Sequence, residues 1–156
     1  MAGLPGFLLD TNVISETVRA FSAPEVMRWL DSLEPEQLYV SVLSLGEIRK
    51  GALLVADKRR REKLRAWLRD TLPEWFETRV LPIDAGVCEC WADLLVKAGT
   101  PLPAIDSLLA ATAVHADLVV ATRNVRDFRV WMSRFLTRGR LVDSCPNTRV
   151  AWSRIR

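Results

Sequence analysis

Short apolar runs alternate along the chain with longer stretches in which apolar residues recur every three or four positions. Phe7 to Asp10 is apolar until it ends in an acid, and it predicts a buried strand. Val26, Trp29, Leu30 and Leu33 then follow the spacing of one helix face, with Ser22 and Glu25 as a capping-box pattern at its start. Leu38 to Val42 predicts a second strand. Ser44 and Glu47 form another capping-box pattern, opening a helix with Leu45, Ile48, Ala52 and Val55 on one side. Asp57 to Thr71 is dense in charge, but Leu64, Trp67 and Leu68 make a stripe, so it predicts a solvated amphipathic helix. Arg79 to Ile83 predicts a third strand. Val87, Trp91, Leu94, Leu95 and Ala98 mark a helix that Gly99 can end. After the stiff loop Thr100 to Pro103, a small-residue helix runs from about Ile105 to Ala116. Leu118 to Thr122 is as apolar as a central parallel strand must be.

Strands alternating with helices imply βαβ units and a parallel sheet, and in such sheets binding residues lie beyond the carboxyl ends of the strands. Four acids fall there: Asp10 at the end of the first strand, Glu47 after the second, Asp106 opening the helix before the fourth, and Asp127 just after the fourth. Singly, most have a structural explanation. Glu47 completes a capping box, Asp106 suits a helical first turn, and Asp127 suits a turn. Asp10 resists one, because an acid ending an apolar strand must be hydrated, paired or coordinated. Together the four would repel, and a hard divalent cation relieves that repulsion. Such an ion activates water and stabilises a phosphodiester displacement.

At 156 residues the chain is the size of one domain, and 49% apolar with 26% charged residues marks it as globular. Cys88, Cys90 and Cys145 suggest neither a disulfide framework nor a zinc site, so they read as reduced thiols. Residues 1–10 lack the basic and apolar regions of a signal peptide. The stretch Leu108 to Ala121 is interrupted by Thr112, His115 and Asp117 and is too short to span a membrane. A cytoplasmic protein is expected.

The net charge of +3 is uneven: Arg129 to Arg156 carries seven arginines and one acid, leaving −3 on the remainder. A basic tail on a slightly acidic body suggests a polyanionic partner. The run Lys58-Arg59-Arg60-Arg61, followed by Lys63, Arg65 and Arg69, is interleaved with Asp57, Glu62 and Asp70. It reads first as a solvated face and second as a sequence-independent attraction for phosphates. His115 reads as packing or surface, and neither a nucleophile elbow nor a phosphate-binding glycine loop is present.

Four segments carry a resemblance. They are Leu9-Asp10-Thr11-Asn12-Val13-Ile14-Ser15-Glu16, Leu45-Gly46-Glu47-Ile48, Ala104-Ile105-Asp106-Ser107-Leu108-Leu109-Ala110-Ala111-Thr112-Ala113, and Ala121-Thr122-Arg123-Asn124-Val125-Arg126-Asp127-Phe128. In this order they resemble the successive motifs of PIN domains, most closely the VapC and FitB toxin branch, over about Gly6 to Phe128. The resemblance implies an α/β fold, a three-layer α/β/α arrangement around a central parallel sheet of four to five strands. It implies a metal-dependent endoribonuclease using Mg²⁺ or Mn²⁺, the toxin of a toxin–antitoxin pair, which forms a homodimer and is inhibited by its antitoxin. Asp10, Glu47, Asp106 and Asp127 match the acidic quartet expected to hold metal and catalyse, Thr122 matches a hydroxyl near the metal, and Asn12 and Asn124 match polar positions beside it. A nucleic-acid-binding module that has lost catalysis is the alternative, and keeping all four acids speaks against it. A phosphatase reading of Asp10-Thr11-Asn12 is disfavoured, since that family's second Asp would stand at Asn12. The expected organisation is a catalytic domain at 1–128 and a basic extension at 129–156 packed on it, a segment in which the chain departs from the family.

Overall fold

The computed structural model describes residues 6–123. Asn124, Asp127 and the 129–156 extension lie outside them. Four parallel strands, β1 (Phe7–Leu9), β2 (Leu38–Ser41), β3 (Val80–Leu81) and β4 (Val119–Ala121), form a sheet in the order β3-β2-β1-β4. β1 is central, with Leu8 opposite Tyr39 on one side and Val120 on the other. The expected parallel sheet is present, with shorter strands. β3 keeps two of the five residues expected, and Pro82, which has no N–H for the ladder, follows it.

Between β1 and β2 lie α1 (Thr11–Ile14), a 3-10 turn at Ser15–Val18 and α2 (Pro24–Asp31). Between β2 and β3 lie α3 (Val42–Leu53), α4 (Lys58–Ala66), a π-helical turn at Trp67–Thr71 and α5 (Leu72–Phe76). Between β3 and β4 lie α6 (Ala85–Ala98) and α7 (Ala104–His115). The pleat sorts the strands into two cores. Phe7, Leu9, Val40, Val119 and Ala121 face Val13, Val26, Trp29, Ile48, Leu72 and Phe76 from the first two crossovers. Leu8 and Val120 face Val87, Leu94, Leu109 and Ala113 of α6 and α7. The result is the expected three-layer α/β/α arrangement. The chain steps outward from β1 to β2 to β3 with helices on one face, then reverses to β4 with helices on the other. Crossovers of constant hand require that change of face. The reversal makes the β1–β4 boundary the topological switch point, where open parallel sheets bind ligands.

Three local expectations are corrected. The Ser22–Glu25 capping box does not form: α2 starts at Pro24, whose fixed φ favours the first helical position, and Ala23 becomes the N-cap. The Ser44–Glu47 box does not form either. Ser41 caps α3, its hydroxyl accepting from Leu43 N at 3.2 Å, which places Ser44 and Glu47 inside the helix. The single helix expected over Asp57 to Thr71 begins as predicted, with Asp57 accepting from Arg60 N at 2.6 Å, but then widens into the π turn ahead of Pro73. Proline would collide with the carbonyl four residues back, and the wider turn avoids this. Gly99 ends α6 as expected, at a φ of 64°. His115 packs its ring over Gly86, where a Cβ would overlap it. This packing role agrees with the sequence reading. Trp67 packs against the core, as its place in the apolar stripe predicts, and it also meets Trp75 edge-on at 6.2 Å.

Candidate functional site at the β1–β4 switch point

Asp10 continues the line of β1, its N–H donating to Ala121 O at 2.9 Å, and it caps α1. The strand's register therefore delivers its carboxylate to the switch point, and it is 7% exposed. Three donors converge on it. Thr11 N donates to Oδ1 at 2.6 Å, while Asn12 Nδ2 and Thr122 Oγ1 donate to Oδ2 at 2.7 and 2.6 Å. Asn12 also donates to Thr122 Oγ1 at 3.0 Å, so the two supporting residues expected from the sequence hold each other as well as Asp10. A carboxylate has about four acceptor sites, and this network leaves one on Oδ1 open. Burial pushes the Asp10 carboxyl above its ordinary range, and the nearby Glu47 charge pushes the same way. Hydrogen bonds from Thr122, Thr11 and Asn12 oppose the shift.

Glu47 lies in the second turn of α3, exposed, and its Oε2 accepts from Thr11 Oγ1 at 2.9 Å. With the capping box absent, the structural explanation for Glu47 falls away, and its described partner belongs to the Asp10 network. Asp106 sits in the first turn of α7, half-buried. Because α7 packs on β4 and leads into it through the short turn Ala116–Leu118, its N-terminus lies toward the carboxyl edge of the sheet. Next to it, Ser107 Oγ accepts from Trp91 Nε1 at 2.9 Å, tying that turn to α6.

Asp10 and Glu47 offer the hard oxygen donors that Mg²⁺ or Mn²⁺ prefers, and a buried carboxylate repelled by a second acid gains from a cation. The donor chemistry fits such an ion. Among the described residues no group of three His, Cys, Asp or Glu side chains could hold one. The described fold thus brings together Asp10, Glu47, Asn12 and Thr122. Asp106 stands apart from that network in the first turn of α7, whose start lies toward the same edge of the sheet, and Asp127 and Asn124 lie outside the described residues.

Two residues without a role in the sequence reading belong to this network. Thr11 bridges Asp10 and Glu47, and its only sequence signal is adjacency to Asp10. Glu16 is 1% exposed and accepts from Arg123 Nη1 at 2.5 Å, Arg19 Nη1 at 2.7 Å and Ala23 N at 2.7 Å. Arg123 in turn gives its backbone N–H to Asn12 Oδ1 at 2.8 Å. A continuous chain of contacts therefore runs from Glu16 through Arg123 and Asn12 to Asp10.

Residues 7–130 match the family described as PIN domain. The chain is 37% identical over 124 residues to Toxin FitB of Neisseria gonorrhoeae, covering 78% of this chain and 89% of that protein. It is 36% identical to VapC ribonuclease Y4jK of Sinorhizobium fredii, with the same 78% and 89% coverage. The crystal structure of FitAcB from Neisseria gonorrhoeae superposes with a TM-score of 0.75 at 36% identity, over 81% of this chain and 93% of that one.

Proposed function

The chain belongs to the PIN-domain family, and on that premise we propose that it is a ribonuclease toxin that cuts RNA internally and depends on Mg²⁺ or Mn²⁺. The observation that carries the metal-dependent part is Asp10, a buried carboxylate at the sheet's switch point with three donors fixing it and a second acid beside it. No such cost in desolvation is needed for packing alone.

In this reading Asp10, Glu47, Asp106 and Asp127 hold the ion. Bound Mg²⁺ or Mn²⁺ supplies Lewis acidity, which lowers the pKa of water and stabilises charge on the phosphate. The chain's own residues supply the geometry. Thr122 and Asn12 fix Oδ2 of Asp10, so that Oδ1 keeps one orientation, and Thr11 holds Glu47 by its Oε2. Burial of Asp10 limits water at that carboxylate, which strengthens its attraction for a cation. An antitoxin protein that covers this edge, and a second copy of the chain as homodimer partner, complete the proposal. No described helix is long and apolar enough to cross a membrane.

The test uses single-stranded RNA labelled at either end. Internal cuts in Mg²⁺ or Mn²⁺, with none in EDTA, are expected. RNA that is bound but never cut would point to the silent binding module instead. Glu47→Gln separates the site from the fold. Its side-chain oxygen can still accept from Thr11, so the melting temperature is expected within about 2 °C of the parent. Cleavage is expected to fall at least about tenfold at limiting metal. Unchanged cleavage would remove Glu47 from the site.

A further inference from the structure

Helix α4 has six basic residues in nine positions, against the single acid Glu62. Four of them, Lys58 to Arg61, occupy its first turn, where the partial positive charge of a helix N-terminus disfavours cations. Arg59 with Lys63, and Arg61 with Arg65, are like charges one turn apart, which also opposes the helix. The fold relieves this conflict only in part. Asp57 caps the first turn, Arg65 pairs with Glu62 at 3.3 Å, and Arg61 donates to Val55 O at 3.0 Å. In the next turn Arg69 is neutralised by Asp70 through two hydrogen bonds of 2.7 and 2.8 Å. Among the described residues, the side chains of Lys58, Arg59, Arg60 and Lys63 enter no ion pair or hydrogen bond, and all four residues are exposed.

The helix is seated through Leu64, half-buried, and through Trp67 and Leu68 of the following turn, which pack against the core. Arg65 and Arg69, the two that pair with acids, adjoin that seat, and three of the four unpaired residues lie in the first turn. A segment whose charges oppose both its dipole and one another, and which finds too few acids among the described residues to balance them, suits a polyanion from outside. We propose that Lys58, Arg59, Arg60 and Lys63 of α4 form a docking surface for the phosphate backbone of RNA, separate from the Asp10 carboxylates. The choice of RNA as the polyanion rests on the ribonuclease reading. The surface itself is sequence-independent, because ammonium and guanidinium groups on one exposed helix read phosphate rather than bases.

The test measures binding without cleavage. The Asp10→Asn chain is titrated with a fluorescent single-stranded RNA over a range of KCl concentrations, with and without Arg59→Gln, Arg60→Gln and Lys63→Gln together. Each neutralised phosphate contributes about 0.7 to the slope of log affinity against log salt for a single strand, so the triple change is expected to flatten the slope by about 2. The melting temperature of the triple variant is expected to stay level or rise, since the dipole conflict is relieved. An unchanged slope in the folded triple variant overturns the proposal. So does loss confined to duplex DNA, or to the antitoxin, with single-stranded RNA binding intact. Cleavage by the parent chain is scored separately, so failure of the docking surface and failure of the ribonuclease reading are distinguishable.

Discussion

Glu16→Ala is expected to destabilise the fold by roughly 2–4 kcal/mol and to lower the melting temperature by about 10 °C. Glu16 is almost wholly buried and serves Arg123, Arg19 and Ala23 N together. Removing it leaves the Ala23 N–H without its acceptor and both guanidiniums without their carboxylate. The range lies below that of a fully buried broken pair because Arg123 and Arg19 remain 34% and 52% exposed. Glu16→Gln keeps an acceptor for Ala23 and is expected to cost about half as much. Thermal melts of both variants check this, and a Glu16→Ala melt within 2 °C of the parent, roughly the surface-substitution range, would show that the pair contributes little. Because Arg123 N–H holds Asn12, and Asn12 holds Asp10, cleavage is expected to fall in Glu16→Ala even at temperatures where the chain is folded.

Asp10→Asn is expected to reduce RNA cleavage by about a thousandfold or more, the loss of several kcal/mol of transition-state stabilisation. Its effect on the fold is expected to be small, because two changes oppose each other. Neutralising a buried carboxylate beside Glu47 removes desolvation and repulsion. An amide, however, can no longer accept from Thr11 N, Asn12 Nδ2 and Thr122 Oγ1 at once, so one donor is left facing an NH₂ group. A melting temperature within about 4 °C of the parent is the expected outcome. The three donors explain why a simple gain in stability from relieved repulsion is not anticipated. Full cleavage by Asp10→Asn would remove it from the site.

The architecture was legible because its signals are periodic. Apolar runs gave the strands, and spacings of three and four gave the helices. The choice of a parallel sheet then directed attention to the residues following each strand. Asp10 stands out by that rule, as the acid that ends an apolar strand, whereas Thr122 entered through the resemblance to PIN domains, and the structure joins the two at 2.6 Å. Helix starts were less legible. Ser22 and Ser44 both sit three residues before a glutamate, but Pro24 and Ser41 take precedence, because a fixed φ and an earlier strand end decide where the backbone first turns helical. That misreading gave Glu47 a structural duty it does not have. Glu16 was illegible for another reason. Its partner Arg123 lies 107 residues away, and no local pattern announces a pairing that exists only once β1 and β4 are neighbours.

Metal titration of the stripped chain tests the central claim most directly. The parent and Asp10→Asn proteins are dialysed against EDTA, freed of chelator, and given increasing Mn²⁺ while cleavage of a labelled RNA and metal uptake are followed together. The parent is expected to be silent without metal and to recover cleavage in step with Mn²⁺ binding. Asp10→Asn is expected to bind the ion weakly and to cut nothing at the same concentrations. Cleavage by the parent in EDTA, or full recovery by Asp10→Asn at the parent's metal concentration, would contradict a metal-dependent nuclease built on this carboxylate.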